Sequence, residues 1–345
     1  MSGRSNGVYT GMSHGEILAD TGRKAGEAFS RPVYALILLA VLAATGCRQR
    51  HRIIAVIPRT CGTALWEPEH AGADAVARQR GLDVYWNAPT RDDDIQAQIA
   101  LIEKSVKRGY AGIIVSPIET LPMRTPIRRV LAKGVPVVVV GTELGIAPGP
   151  KLAYVMSDEH AAGEMAARRI GSILEGKGSI AILGIDPQLM SNVERERSLE
   201  TALAREFPGI HVAVRQFGLA SVPQEQEAAE ELLAKGQKID AIVALSLAST
   251  RGAYYALVEF GKAGSTKLVG FDQDLIPPIR NGGIDSVVAQ NTYAMGQLAM
   301  DLMDRELHGK GSATVLEVPP VLMTRENVDS AQIRQILNLA WWPPQ

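Results

Sequence analysis

The sequence predicts an α/β protein built from two doubly wound parallel-sheet lobes. The first observation is a repeated alternation of short apolar runs with amphipathic segments, which is typical of parallel strands joined by helices. The second is that this alternation occurs twice, separated by a connector over residues 141–150 that is rich in glycine and proline. The third is length, since 345 residues are enough for two such domains, each with its own core.

The first run of elements begins at Arg52. Residues 53–57 are continuously apolar, as expected for a parallel strand covered on both faces. The predicted elements that follow are a helix ending at Arg80 with Gly81 as its C-cap, a strand over 83–87, a helix opened by residues 92–94, a strand over 112–116, a helix over 121–133 and a strand over 135–140. In the helix opened by residues 92–94, the spacing predicts one buried stripe formed by Ile95, Ile99, Ile102 and Val106.

The second run has the same alternation. The predicted helices cover residues 158–174, 192–207, 222–235, 248–260 and 275–281, and the predicted strands cover 179–183, 211–216, 241–245, 267–271 and 285–290. One helix over 291–308 and one strand over 315–318 remain, and together they are too little for an independent core. They must complete earlier layers, which requires the chain to cross between the lobes more than once. Multiple crossings make a hinge, and a cleft between hinged lobes can close on a ligand.

The first 47 residues read as a signal peptide with a lipobox-like end. Residues 33–44 form a 12-residue apolar run behind Arg31, too short to span a bilayer but suited to a signal-peptide core. The sequence Ala-Thr-Gly-Cys follows directly and ends at Cys47, which resembles a bacterial lipobox whose cysteine carries the lipid. Cleavage by the general signal peptidase and an uncleaved anchor are the alternatives. A lipidated Cys47 would leave Cys61 without an intramolecular disulfide partner.

The composition excludes several classes of function. A net charge of −1 gives no basic footprint for wrapping nucleic acid. No cluster of cysteine and histidine has metal-ligand spacing, and no cofactor is predicted. The sequence also lacks the hydrolase, phosphate-loop and zinc-protease motifs, so we do not expect an enzyme.

The stretch from Lys267 to Asp274 carries the first candidate ligand residue. Its apolar strand ends on Asp272 and Asp274. Open α/β sheets bind their ligands in the crevice at the carboxyl ends of the strands, which predicts that Asp272 contacts the ligand. The alternative is that the acids cap a helix starting near Leu275, a role for which Asp274 is better placed.

Several motifs occur in one characteristic order. They are residues 111–117 (AGIIVSP), 134–138 (GVPVV), 155–158 (VMSD), 195–197 (RER), 240–243 (DAIV), 269–272 (VGFD), 288–290 (VAQ) and 323–327 (MTREN). In this order, over roughly residues 52–327, the chain resembles the ribose-type sugar-binding proteins of bacterial ABC importers. The same fold is shared by the ligand domains of lactose-repressor-type regulators.

The resemblance implies a chain that crosses between its lobes three times, with hinges near Met156, Asn291 and Val318. It divides the chain into an N-terminal lobe over 52–156 plus 291–318, a C-terminal lobe over 157–290 plus 319–328, and a tail over 329–345.

The resemblance also implies three ligand residues. Arg195 matches the family's arginine, whose guanidinium fork suits adjacent hydroxyls. Asp272 matches the carboxylate that accepts from sugar hydroxyls, and Gln290 matches the hinge glutamine, which both donates and accepts. The alternatives are a surface ion pair for Arg195, as expected for Arg197, and a backbone-bonding role for Gln290.

Four further candidates stand where the family pattern changes. Thr142, with Glu143 beside it, lies where the ribose-type proteins carry an Asp-Arg pair, and Ser246 replaces an asparagine. Trp66 follows a first loop that lacks the usual asparagine and paired aromatics. It could stack on a sugar face, or pack in the core or on the lobe surface.

The predicted function is therefore an extracytoplasmic solute-binding protein of an ABC importer. It would capture a monosaccharide, a related polyol or another small polar metabolite, deliver it to an inner-membrane permease, and reside in the periplasm or cell envelope through its lipid anchor. One alternative is a sensor that presents its closed form to a chemoreceptor or kinase. A transcriptional regulator would need a DNA-reading helix-turn-helix ahead of residue 52, where the sequence has the apolar run instead.

Overall fold

The protein is described by a computed structural model over residues 52–61, 66–91, 93–187, 189–218, 221–271 and 273–337. Within these residues the strands form two six-stranded sheets flanked by helices. The predicted signal peptide, Cys47 and Asp272 lie outside the described residues, as do Trp341 and Trp342.

No helix among the described residues combines the length and apolarity needed to cross a bilayer. Cys61, which is described, is exposed and forms no disulfide.

The first sheet is entirely parallel in its described pairings and has the order β11-β5-β4-β3-β1-β2. Its strands are β1 (Arg52–Ile57), β2 (Leu82–Trp86), β3 (Gly112–Val115), β4 (Val137–Val140), β5 (Leu152–Ser157) and β11 (Thr314–Val318). β11 comes from much later in the chain than the other five strands. This position agrees with the prediction that a strand over residues 315–318 completes an earlier layer.

Helices cover both faces of the first sheet. They are α1 (Glu67–Arg80), α2 (Ile95–Lys107), α3 (Thr120–Ala132) and α9 (Thr292–Leu307). Alternate residues of β1 explain the two layers, because Ile54 and Val56 pack in the core that contains α1 and α9, whereas Ala55 and Ile57 pack in the core that contains α2 and α3. Gly81 ends α1 with φ of 66°, which confirms the predicted C-cap.

The second sheet has the order β12-β10-β9-β8-β6-β7. Its strands are β6 (Lys177–Ile185), β7 (Gly209–Phe217), β8 (Ala241–Ala244), β9 (Lys267–Gly270), β10 (Ser286–Ala289) and β12 (Val321–Thr324). Sequence reasoning did not find β12, which pairs antiparallel with β10. This strand is short and directly follows Pro319 and Pro320, and two consecutive prolines indicate a loop rather than a strand.

Six helices accompany the second sheet: α4 (Glu159–Ile173), α5 (Met190–Glu206), α6 (Val222–Ala234), α7 (Leu247–Glu259), α8 (Ile276–Asn281) and α10 (Ala331–Ile336). α4 and α5 share one core with the sheet, and the other four share the second core. Ile333 and Ile336 of α10 are buried in that second core, so residues 331–336 pack with this lobe, although the predicted division placed them in a separate tail.

The chain crosses between the two sheets three times, between β5 and α4, between β10 and α9, and between β11 and β12. Two crossing residues cap the helices that follow them, because Asp158 accepts from Ala161 N at 2.8 Å and Asn291 accepts from Ala294 N at 3.0 Å. The first and third crossings are also tied together by a 3.0 Å hydrogen bond from Asp158 N to Val318 O. The predicted fold class, two doubly wound lobes with a three-crossing hinge, is confirmed.

α1 and α9 are in close backbone contact through glycines. A Cβ atom at Gly72 would lie 2.0 Å from the carbonyl oxygen of Tyr293, and one at Gly296 would lie 2.1 Å from that of Glu69. Any larger side chain at either position would push the helices apart. The helix that begins just after Gln290 is therefore held directly against the helix that follows Trp66.

Candidate ligand site

Arg195 is a buried residue of α5 whose guanidinium is held on several sides. Its Nε and Nη2 donate to Oε2 of Glu159 at 2.9 and 2.5 Å, and its Nη1 donates to the carbonyl oxygen of Leu245. The guanidinium carbon lies 4.2 Å from the centre of the Phe271 ring, a cation–π contact. The side chains of Arg195 and Glu159 are each only 10% exposed, so Arg195 is not the surface ion pair that the sequence left as an alternative.

Gln290 joins the same group of side chains. Its amide nitrogen donates to Oε1 of Glu159 at 3.0 Å. The carboxylate of Glu159 thus bridges two residues that the family resemblance independently marks as ligand residues. We call Glu159, Arg195 and Gln290 the charged triad.

The charged triad lies at the carboxyl edge of the second sheet. Leu245 directly follows β8, Phe271 directly follows β9 and Gln290 directly follows β10, while Glu159 opens α4. This edge is where open parallel sheets bind ligands, because strand ends and helix N-termini converge there.

Ser246 lies beside the triad and also caps a helix. It is the N-cap of α7, where its hydroxyl accepts from Ser249 N at 3.1 Å and its own N–H donates to the Ser249 hydroxyl at 3.0 Å. This reciprocal arrangement is a capping box built with serine at the third position. Its place at the end of β8 keeps Ser246 a candidate ligand residue, although its hydroxyl already serves α7.

The carboxyl edge of the first sheet has a tryptophan and a buried acid where the second sheet has the charged triad. Trp66 is the N-cap residue of α1 and is 9% exposed. One turn further on, Glu69 is fully buried, and the Ser116 hydroxyl, just after β3, donates to its two carboxyl oxygens at 3.1 and 3.3 Å. Burial raises the pKa of Glu69 from 4.5 to about 8, and the Ser116 hydrogen bond offsets only part of that rise. Glu69 is therefore a neutral acid at neutral pH.

Gln98 of α2 fixes the loops beside Glu69. Its side-chain nitrogen donates to the carbonyl oxygens of Pro58 and Ser116 at 3.0 and 2.9 Å, and its side-chain oxygen accepts from Ile118 N at 3.0 Å. One buried amide thus joins the ends of β1 and β3 and satisfies three backbone groups. The hydrogen bonds hold Ser116 in place against Glu69.

Thr142 and Glu143 lie just after β4, at the same edge of the first sheet. Thr142 is half-buried and Glu143 is exposed. The structure thus brings Arg195 and Gln290 together and places Trp66, Thr142 and Glu143 on the other sheet, at the corresponding strand ends. Their roles in binding remain predictions.

Asp272, the leading sequence candidate, lies outside the described residues, so its position remains a prediction. The proposed capping role for Asp274 was wrong. α8 begins at Ile276 with Leu275 at the N-cap position, and Asp274 instead forms an ion pair with Arg251 at 3.2 Å.

Sequence reasoning missed Glu159 and Glu69. Both are acids in the first turn of a helix, a position where acids are common because they interact favourably with the helix dipole. The available signal for Glu159 was its place directly after the crossing residue Asp158, which ends the motif over residues 155–158.

The site offers both hydrogen-bond donors and acceptors. Carboxylate oxygens, guanidinium N–H groups and an amide can together bind the hydroxyl groups of a small polar ligand. The described residues contain no group of three or more histidine, cysteine, aspartate or glutamate side chains placed to hold a metal ion.

Two hinged α/β lobes with hydrogen-bonding side chains at their strand ends define a class of protein, a ligand-binding protein that closes on its cargo. The periplasmic binding protein domain family matches residues 54–311, and the chain belongs to this family. The family resemblance inferred from the sequence is confirmed, and membership implies a periplasmic location.

Relatives with known ligands are similar along most of their length. The xylitol-binding protein of Mycolicibacterium smegmatis is 25% identical over 266 residues, which cover 75% of this chain and 74% of the relative. The ribose import binding protein of Bacillus subtilis is 26% identical over 258 residues, covering 74% of this chain and 81% of the relative. A D-allose-binding periplasmic protein of Escherichia coli is 25% identical over 266 residues, covering 74% and 85%.

Solved structures have the same fold. A sugar-binding protein of a Bacillus halodurans sugar ABC transporter matches with a TM-score of 0.75 and 22% identity, over 81% of this chain and 99% of that one. An ABC transporter solute-binding protein from Agrobacterium vitis, bound with α-D-tagatopyranose, matches with a TM-score of 0.72 and 21% identity, over 83% and 98%.

Proposed function

We propose that this chain is the extracytoplasmic solute-binding protein of an ABC importer and that its cargo is a monosaccharide or related polyol. It captures the ligand between its two lobes and delivers the closed form to a membrane permease. The observation that carries the proposal is the charged triad, which brings Arg195 and Gln290 together at the strand ends of the second sheet.

The ligand class is supported by the relatives, whose names specify xylitol, D-allose and ribose. These ligands are small, uncharged and densely hydroxylated. A hydroxyl group donates and accepts at once, and the charged triad supplies partners for both.

The lobes proposed to close are residues 52–156 plus 291–318 and residues 157–290 plus 319–328. The two sheets support this division, since each sheet draws its strands from one of these sets, apart from one residue at the end of β5. Closure requires only that the ligand bind the closed state more tightly than the open state. The protein therefore binds its ligand without transforming it.

The test is thermal unfolding of the purified mature chain against xylitol, D-ribose, D-allose, nucleosides and amino acids. A ligand that binds only the folded state adds about 2.7 kcal/mol of stability at a hundred times its dissociation constant. The melting temperature should then rise by several degrees with at least one sugar or polyol. A panel in which no sugar or polyol raises the melting temperature would contradict the proposal.

Asp272→Ala provides the site-specific version of this test. Removing a carboxylate that binds hydroxyls in a closed cleft should weaken binding by about 2–5 kcal/mol. Asp274→Ala is the matched control, because Asp274 lies two residues further along the same loop and pairs with Arg251. Equal ligand affinity in Asp272→Ala and the native chain would remove Asp272 from the site.

We further propose that Cys47 carries a lipid that anchors the protein to the membrane. The support is the lipobox-like sequence that ends at Cys47. Cys47→Ser should release the protein from the membrane fraction, as judged by fractionation of cells that express it. Membrane association that survives the substitution would indicate an uncleaved anchor instead.

A further inference from the structure

Glu159 is the residue of the charged triad that neither the motifs nor the relatives' names assign. It is the first residue of α4, directly after the crossing residue Asp158. Both of its oxygens are engaged, Oε2 by Arg195 and Oε1 by Gln290. We propose that Glu159 sets the charge specificity of the site, so that uncharged polyhydroxylated ligands bind and sugar acids and sugar phosphates are excluded. The inference rests on the proposed function and names the ligand class for that site.

The first step concerns the guanidinium. An arginine in a ligand site is the natural partner of a carboxylate or phosphate, which it binds through two parallel N–H groups. In this protein the edge formed by Nε and Nη2 of Arg195 is occupied by Glu159. Nη1 donates to Leu245 O, and the ring of Phe271 covers one face. An anionic ligand would have to displace Glu159 or lie beside its negative charge.

The second step concerns net charge. Arg195 and Glu159 form a nearly buried pair whose charges cancel. A buried charge without a partner is costly, so a ligand that adds a charge to this pair is disfavoured relative to one that adds none.

The third step concerns hydroxyl groups. The guanidinium carries N–H groups beyond the three that bind Glu159 and Leu245, and the carboxylate has acceptor sites beyond those used by Arg195 and Gln290. A ligand hydroxyl can accept from the first and donate to the second without changing the charge. The triad therefore fits an uncharged polyol and not its oxidised or phosphorylated counterpart.

A purely structural role for the ion pair makes a different prediction. The pair also joins the start of α4 to α5, and a joint of this kind would affect stability without changing which ligands bind. Selectivity between a neutral ligand and its matched acid is the property that separates the two roles.

The experiment is calorimetric titration of the purified mature chain with D-ribose, D-allose and xylitol, and with D-ribonate, D-ribose 5-phosphate, D-allonate and D-xylonate as matched anions. The native protein should bind at least one neutral probe and should bind its matched anion at least about a hundredfold more weakly. Glu159→Gln removes the charge and preserves the shape. It should lower the neutral-over-anion selectivity by at least about tenfold, since Arg195 is then uncompensated. Glu159→Asp, which restores the charge, should keep the anions excluded.

Glu164→Gln is the matched control on the same helix. Glu164 forms its ion pairs with Arg168 and Arg205 and is not part of the triad, so this variant should keep the native selectivity. A native protein that binds a neutral probe and its matched anion equally well would overturn the inference, whether or not Glu159→Gln folds. Unchanged selectivity in a folded Glu159→Gln would overturn it as well. A native protein that binds no neutral probe would instead reject the proposed function.

Discussion

Each sheet has a glutamate near its carboxyl edge that is largely shielded from solvent, and the two acids have different partners. Glu69, beside the first sheet, has a hydroxyl group as its side-chain partner, and burial keeps it protonated up to a pH of about 8. Glu159, beside the second sheet, is paired with a guanidinium and an amide. The two acids therefore differ in the partner that the fold supplies, a hydroxyl group for Glu69 and a guanidinium for Glu159.

This contrast also describes the two halves of the candidate site. The half on the first sheet has a neutral acid and a nearly buried indole, that of Trp66. The half on the second sheet has charges that compensate one another within the protein. These residues therefore give neither half of the candidate site a net charge.

The largest predicted effect concerns Glu69 and pH. The folded chain keeps a proton on Glu69 up to a pH of about 8, whereas the unfolded chain releases it near 4.5. Between these values the folded state binds more protons, so its stability falls as the pH rises. Glu69→Gln removes this titration, and its stability relative to the native chain should increase from pH 5 to pH 8 by up to about 4 kcal/mol.

Urea unfolding of the native chain and of Glu69→Gln at several pH values measures this difference. Below pH 4.5 Glu69 is protonated in both states, so ionisation should contribute nothing there. Parallel stability curves for the two proteins across the whole range would show that folding does not change the pKa of Glu69.

An effect of similar size concerns the ion pair of the second sheet. Arg195→Ala leaves Glu159 buried without its cation and should destabilise the fold by about 3–5 kcal/mol, while also weakening ligand binding. Arg197→Ala is the control on the same helix. Arg197 pairs with Glu194, its side chain is 71% exposed, and its loss should cost less than about 1 kcal/mol.

Urea unfolding and ligand titration of both variants measure these effects. Similar stabilities for Arg195→Ala and Arg197→Ala would mean that the charged triad does not hold the second sheet's strand ends together.

The sequence predicted most of the fold because its elements follow local rules. Strands buried on both faces are continuously apolar, and a helix such as α1 ends at a glycine. The one helix and one strand that remain after the two runs of elements require the chain to return to an earlier layer. β12 was not predicted because it is short and directly follows two prolines, which indicate a loop. The stripe predicted for α2 was partly right, since Ile102 is fully buried, but Gln98 is buried beside it. A polar residue is expected at the surface unless its partners are known, and the partners of Gln98 come from loops far away in sequence.

The candidate site was predictable only where a motif marked it. Arg195 and Gln290 were placed by resemblance, and the structure brings both to one carboxylate. Glu159 and Glu69 look identical in the sequence, as acids in the first turn of a helix. Their different partners, Ser116 for Glu69 and Arg195 for Glu159, are distant along the chain and close only after folding.

The late position of α9 and β11 in the chain determines when folding can finish during protein synthesis. α9 supplies Met295, Ala299 and Met303 to the core on one face of the first sheet, and β11 forms an edge of that sheet. The ribosome must therefore produce most of the polypeptide before the first lobe can bury this face, and folding has to wait for contacts between distant segments.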